Sequence, residues 1–175
     1  MAIHQARGEK RLPGGVLWLE RQGVAFHSAY GMASTQPVSA LAQGDTIYDA
    51  ASLTKVVATT PAVLLLHERR KLNIEDSVRK HLPEFTGQGR ELITIRQLLT
   101  HTSGLRPDIS VNGWTGHQEC IAKCVLEVPR AAPDERFIYS DINFQLLDEI
   151  VRRVSGKRLD VFCTEEIFGP LKMHD

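Results

Sequence analysis

Ser52 and Lys55 stand three residues apart in S-L-T-K, and Tyr139 lies further along in F-I-Y-S-D. A serine hydroxyl is a weak nucleophile until a base takes its proton. On a helix, residues i and i+3 share a face, so the Lys55 amine falls within reach of the Ser52 hydroxyl. Burial and nearby cations lower a lysine pKa, which readies the amine as a base or lets it act on another group. A helix N-terminus also points backbone N–H groups outward, which suits a developing oxyanion. The chemistry this spacing serves is acyl transfer through a serine ester. The same tetrapeptide also occurs by chance as the plain first turn of a helix.

Tyr139 adds a second ionisable group. A phenol titrates near about 10, close to lysine. Beside an ammonium it loses its proton far more easily, so a Tyr139–Lys55 pair next to Ser52 can act as a general base. Judged in isolation, Tyr139 also reads as a core tyrosine ahead of an N-capping Ser140 or Asp141. Trp114, in the Gly-bounded loop V-N-G-W-T-G, can wall a substrate pocket or dock that loop on the core.

These side chains need elements to hold them. Apolar runs at Val16–Leu19 and Val24–Phe26 flank Arg21-Gln22-Gly23 and predict a β-hairpin, preceded by a short helical stretch around Ala2–Ala6. Residues 32–46 are small and polar and read as loop. From Ser52 to Arg70 the pattern predicts one long helix, kinked or weakened at Pro61. A short helix is expected over Ser77–Leu82, ending at Pro83. Thr94-Ile95-Arg96-Gln97 has the form of a capping box and starts another that ends near Ser103-Gly104. Further helices are expected over His117–Leu126 and Asp141–Val154, the second with Phe144, Leu147, Val151 and Val154 on one face. A last one carries Leu159, Phe162, Cys163 and Ile167. The organisation is a hairpin region over residues 1–50 and a helical region over 51–175 that carries both motifs, together one truncated domain.

The 175 residues suffice for a real core, with 42% apolar and 24% charged residues and a net charge of zero. No basic stripe supports nucleic-acid binding. No apolar run approaches the length of a membrane span. No apolar signal-peptide core is present at the start, which favours a cytoplasmic over a periplasmic location. Cys120, Cys124 and Cys163 are too few and odd in number for a disulfide framework. His117, Cys120 and Cys124 fall on one helix face, but structural zinc wants four ligands, and H-E-R-R-K at His67 lacks the second histidine of a zinc protease. Neither a metal nor another cofactor is expected.

S-L-T-K and Y-S-D, with L-L-T-H-T-S-G-L at Leu98–Leu105 between them, resemble the serine β-lactamase and penicillin-binding-protein superfamily. The branch is the one with a catalytic tyrosine: class C β-lactamases, D,D-peptidases and family VIII carboxylesterases. The likeness extends to R-L-P-G-G-V-L-W-L-E-R-Q-G, K-L-N-I-E-D-S-V-R-K-H-L-P-E-F and I-F-G-P-L-K-M, all in the family's order. It implies an α+β, β-lactamase-like (transpeptidase-like) fold, here an N-terminal hairpin and a mostly helical remainder. It also implies Ser52 as the acylated nucleophile, Lys55 as the group that eases its deprotonation, and Tyr139 as base or proton relay and later activator of water. Asp141 falls where the Y-x-N pattern has asparagine; it accepts hydrogen bonds but donates none as an amide would. Esterase-like members carry Y-S-D, which tilts the reading from a dedicated β-lactamase to a carboxylesterase.

The family's third motif, K-T-G or H-x-G, does not follow Tyr139 in these residues, which are therefore expected to be an N-terminal piece, roughly half of a family domain. The expected function is a serine hydrolase acting on a small ester, a β-lactam or a D-alanyl peptide, impaired in this length of chain and prone to pair or domain-swap as a homodimer. The alternative is a non-catalytic family member that binds a partner or builds an assembly.

Overall fold

The computed structural model describes residues 2–109 and 115–173. Contacts divide the chain into two compact units, Met1–Asp49 and Ala50–Asp175. The Trp114 segment lies outside the described residues.

In the first unit, α1 (Ala2–Gly8) precedes a hairpin of β1 (Gly14–Arg21) and β2 (Val24–Ser34). The strands pair antiparallel from Gly14↔Gly31 to Arg21↔Val24. Gln22 and Gly23 both have positive φ, 53° and 79°. Two such residues make the turn whose twist matches paired strands, and a glycine takes the second without strain. Trp18 faces His27 across the pair, with ring centroids 5.0 Å apart. The expected loop over residues 32–46 is corrected in part: β2 runs on to Ser34, and a two-residue β3 (Ala40–Leu41) pairs with it. A strand this short leaves no alternation to read; main-chain pairing sets it.

The second unit is helical. The long helix expected from Ser52 is three pieces: a 3₁₀ turn at Ala51–Leu53, a π turn at Lys55–Thr59, and α2 (Thr60–Glu68). Pro61 explains the change of pitch. It has no N–H to offer the preceding turn, and the Thr60 N–H instead reaches back five residues to the Lys55 carbonyl. Then come α3 (Val78–His81), α4 (Ile95–Leu99), α5 (Gly116–Cys124), α6 (Asp141–Ser155) and α7 (Leu159–Cys163), which continues as a π turn to Phe168. The capping box forms as the sequence predicts: Thr94 Oγ1 accepts from the Gln97 N–H, and Gln97 Oε1 accepts from the Thr94 N–H.

Helix α6 is the centre of this unit and packs against α2, α4, α5 and α7. Ile142, Leu146, Leu147, Ile150 and Val151 are buried on it, against Val63, Leu66, Leu98 and Phe85. Its one buried carboxylate, Glu149, accepts hydrogen bonds from Arg152, Arg153 and His117. Burial alone would push this carboxyl up; the two guanidinium groups and the imidazole outweigh it and hold it at about 2. Asp76 is likewise pushed up by burial and pulled down to about 2 by Lys80, the Asn73 N–H and His81.

Both folded values lie below the unfolded ones, so the unfolded chain binds more protons in acid. Stability is complete above about pH 4.5 and is lost as pH falls toward about 2. Glu149 alone is worth about 2 kcal/mol between neutral pH and pH 3. Urea titrations at pH 6.5 and pH 3 measure this, and Glu149→Gln should lose much of the acid dependence.

Candidate active site

The second unit gathers four of the five side chains singled out in the sequence. Ser52 sits in the 3₁₀ turn, directly after Ala51, whose φ of 43° lies in the left-handed region. For a residue with a Cβ that conformation is strained, and such strain concentrates at functional sites. One turn on, Lys55 Nζ lies 3.2 Å from Ser52 Oγ and donates to it. The same ammonium makes a 2.6 Å ion pair with Asp141 Oδ1 and lies 5.0 Å from the centre of the Tyr139 ring. Ser52 and Lys55 both act on the Tyr139 phenol. Ser52 and Tyr139 are open to solvent, whereas the Lys55 side chain is 13% exposed.

The charges follow from these contacts. Burial lowers the Lys55 pKa, but hydrogen bonds to Asp141 and Tyr139, then their charges, carry it above the ordinary lysine value. Tyr139 is held below the ordinary phenol value, first by Ser52 and then by Lys55. Lys55 therefore stays an ammonium, and Tyr139 is the group that gives up its proton more readily than it would in water. Of the two routes open to Lys55, a free amine or a charge that acts on another group, this electrostatics favours the second. Asp141 takes part as the counter-ion of Lys55, in the place where an amide would carry no charge.

Loop 100–107 fixes Tyr139. Helix α4 ends with the Thr102 N–H on the Gln97 carbonyl and the His101 N–H on the Leu98 carbonyl, with His101 left-handed at φ 59°. This is the Schellman closure of a helix, with histidine in the seat that glycine usually takes. The His101 carbonyl accepts from the Ile138 N–H at 2.9 Å, and the Pro107 carbonyl accepts from the Asp141 N–H at 2.7 Å. Ser140 caps α6, accepting from the Asn143 N–H while its hydroxyl donates to the Arg106 carbonyl at 2.6 Å. The buried Ser103 donates to Asn143 Oδ1 at 2.7 Å. His101, Ser103 and Asn143 were not singled out in the sequence. Their signal was L-T-H-T-S-G-L, a segment that carried the resemblance without a role for its histidine.

Gly104 closes the same loop at φ 80°, and a Cβ there would lie 2.1 Å from the Ala131 carbonyl oxygen. Gly104→Ala should therefore lower stability by about 2–5 kcal/mol, from left-handed strain and overlap together. Denaturant titration checks this; a loss under 1 kcal/mol would mean the loop moves freely.

A cavity of about 450 Å³ opens beside Ser52 and Lys55, lined also by Asp108, Asp141, Phe144 and Asp148. The cysteine–histidine face of α5 is occupied otherwise. His117 contacts Asp148 and Glu149, and Cys124 donates to Gln145 at 2.9 Å. Burial pushes the Cys124 thiol up, and the Cys163 thiol up to about 11.

A serine, a lysine and a tyrosine converge here at the heads of two helices, α2 and α6, on a scaffold shared with class C β-lactamases. A solved class C β-lactamase superposes with a TM-score of 0.83 at 24% identity, over 98% of this chain and 48% of that one. A D-stereospecific amidohydrolase from Streptomyces sp. gives 0.75 at 25% identity, over 92% and 50%. Penicillin-binding protein 4* of Bacillus subtilis (strain 168) is 30% identical over 184 residues, 99% of this chain. The family model for β-lactamase matches residues 2–175. The chain belongs to the β-lactamase family, and its fold is the α+β arrangement of a hairpin with a mostly helical remainder. It spans 40% of the length of the penicillin-binding protein and about half of the two solved enzymes.

Proposed function

We propose that the chain carries the acylating residues of a serine hydrolase that works through an acyl-enzyme on esters or amides. Ser52 is the nucleophile, Tyr139 the base, Lys55 the cation that lowers the tyrosine's pKa, and Asp141 the anchor of Lys55. One observation carries the reading: an ammonium bound to Asp141 lies 3.2 Å from Ser52 Oγ and 5.0 Å from the centre of the Tyr139 ring.

The Tyr139 oxygen takes the Ser52 proton as Oγ attacks the carbonyl carbon. The phenol returns that proton to the leaving oxygen or nitrogen as its bond to carbon breaks, which leaves the serine ester. Water then attacks the ester, loses a proton to Tyr139, and Ser52 Oγ leaves and is reprotonated. The related proteins named for penicillin binding and for D-stereospecific amide hydrolysis support a β-lactam or a D-amino-acid amide as substrate. Asp141 supports an ester instead, because an amide-bearing substrate finds no side-chain N–H there.

The experiment is intact-mass spectrometry after exposure to p-nitrophenyl butyrate and, separately, to benzylpenicillin, followed by peptide mapping. One acyl increment on the Ser52 peptide is expected, faster with the ester. No increment with either reagent would sink the reading. A second reading, a family member that binds or assembles without turnover, draws on Asp141, which stands where the family's Y-x-N pattern has an amide. The exposed Trp18, Leu19, Val24 and Phe26 of the hairpin support self-association, and sedimentation velocity should find a dimer; a sharp monomer at all concentrations would contradict it.

A further inference from the structure

We propose that His101 is the positioning residue for Tyr139, and that it holds the phenol against Ser52 only as the neutral imidazole with its proton on Nε2. The inference rests on Tyr139 being the group that acts on Ser52.

Three contacts from this one residue bracket the tyrosine. The residue before Tyr139 donates its N–H to the His101 carbonyl at 2.9 Å. The residue after it donates its N–H to His101 Nδ1 at 3.0 Å. The imidazole lies under the Tyr139 ring, with centroids 4.5 Å apart and planes inclined by 31°. Backbone on both sides and the ring itself are thus held by a single residue, one side by its carbonyl and the rest by its imidazole, and that residue is 9% exposed.

The closure of α4 does not itself call for a ring at this position. A left-handed residue at a helix C-terminus is ordinarily glycine or asparagine. A histidine there is strained, and nothing in the helix closure uses its ring. What uses the ring is Tyr139 and Ser140.

The tautomer follows from the donors around it. Nδ1 faces the Ser140 N–H and, at 3.4 Å, the Asn143 side-chain amide nitrogen. A ring nitrogen met by N–H groups must present a lone pair, so the ring proton sits on Nε2. The groups facing the imidazole are Lys55 from the π turn, Tyr139 and Asp141 from the α6 entrance, and the uncharged Phe137, Ser140, Asn143 and Phe144. Burial first, then the Lys55 charge, hold His101 below the ordinary histidine range, against an opposing pull from Asp141. When the pH falls far enough to protonate Nδ1, an N–H meets the Ser140 N–H, and a second cation stands beside Lys55. The bracket then opens and the phenol loses its place.

Two measurements on the 175-residue chain test this. The first needs no substitution: nitrogen-detected NMR of the histidine rings across pH, with the Tyr139 ring resonances followed in parallel. The expected result is an Nε2–H tautomer for His101 at neutral pH and a midpoint below about 6.5, with the Tyr139 resonances moving at that same midpoint. A His101 that carries its proton on Nδ1, or Tyr139 signals indifferent to its titration, overturns the proposal.

The second compares wild type with His101→Asn, which tolerates the left-handed seat and keeps an acceptor but has no ring. Phenol absorbance, with Tyr139→Phe as the blank, gives the Tyr139 titration, and the acyl increment gives the rate at Ser52. In the variant the Tyr139 midpoint should rise toward about 10 and acylation should fall at least tenfold, with thermal midpoints within a few degrees. Unchanged titration and rate overturn the proposal while leaving the acyl-enzyme reading intact. A wild type that takes no acyl group, yet shows the shifted Tyr139 titration that the variant loses, supports the positioning role and removes the catalytic one.

Discussion

Ser52→Ala takes up no acyl group from p-nitrophenyl butyrate or benzylpenicillin, and any turnover of the ester falls by up to about 10⁶-fold, the scale seen when the nucleophile of a serine hydrolase is removed. The size of the effect follows from the lack of a substitute. Lys55 is an ammonium bound to Asp141 at 2.6 Å and has no lone pair to attack with. Cys163 and Cys124 are buried, and burial holds both thiols protonated. The substitution should leave the fold alone, because Ser52 is exposed and its hydroxyl meets the Lys55 side chain rather than the core. The thermal midpoint should move by no more than about 2 °C, as for a surface change of under 0.5 kcal/mol. Intact mass and peptide mapping read the outcome. An increment that persists in the variant would place acylation on another residue and end the case for Ser52.

What the sequence made legible was periodic or local. Helix α6 could be read because Phe144, Leu147, Val151 and Val154 repeat at helical spacing and because a serine caps its start. The Thr94–Gln97 box could be read because both of its hydrogen bonds are made within four residues. Ser52 and Lys55 could be paired because i and i+3 are neighbours on any tight helical turn, whether 3₁₀, α or π. The pitch itself was not legible: apolar spacing around Ser52–Arg70 fits one α-helix, and only the missing Pro61 N–H explains the π turn. Nor was β3, two residues long.

Joining Tyr139 to Ser52 was beyond spacing alone, since the two are far apart in the chain; family resemblance supplied that expectation. His101 was hidden for a different reason. Its role depends on a left-handed φ and on which residues lie on either side of its ring, and neither leaves a mark in residue type. The sign of the Lys55 shift was hidden too. Burial by itself favours a neutral amine, and only the placing of Asp141 and Tyr139 reverses it.

That reversal makes Tyr139→Phe the informative substitution. Two groups near Ser52 can in principle take its proton, and the reaction needs one of them unprotonated. With Lys55 raised and Tyr139 lowered, the phenolate is the base available nearest neutral pH. Phenylalanine keeps the ring that stacks on His101 at 4.5 Å and deletes only the oxygen, so positioning survives while proton transfer does not. Loss of a general base lowers rates by about 10²–10⁴-fold, and the Ser52 acylation rate should fall by that factor. The pH dependence should change with it. In the wild type, acylation rises with pH as Tyr139 loses its proton, through a midpoint below the ordinary phenol value of about 10. In Tyr139→Phe that limb disappears, and what remains follows Lys55, which Asp141 still holds as an ammonium. Single-turnover acylation across pH 5–9 measures both effects. A Phe variant acylated at the wild-type rate, with an unchanged profile, would hand the proton to Lys55 and require an amine that Asp141 fails to hold.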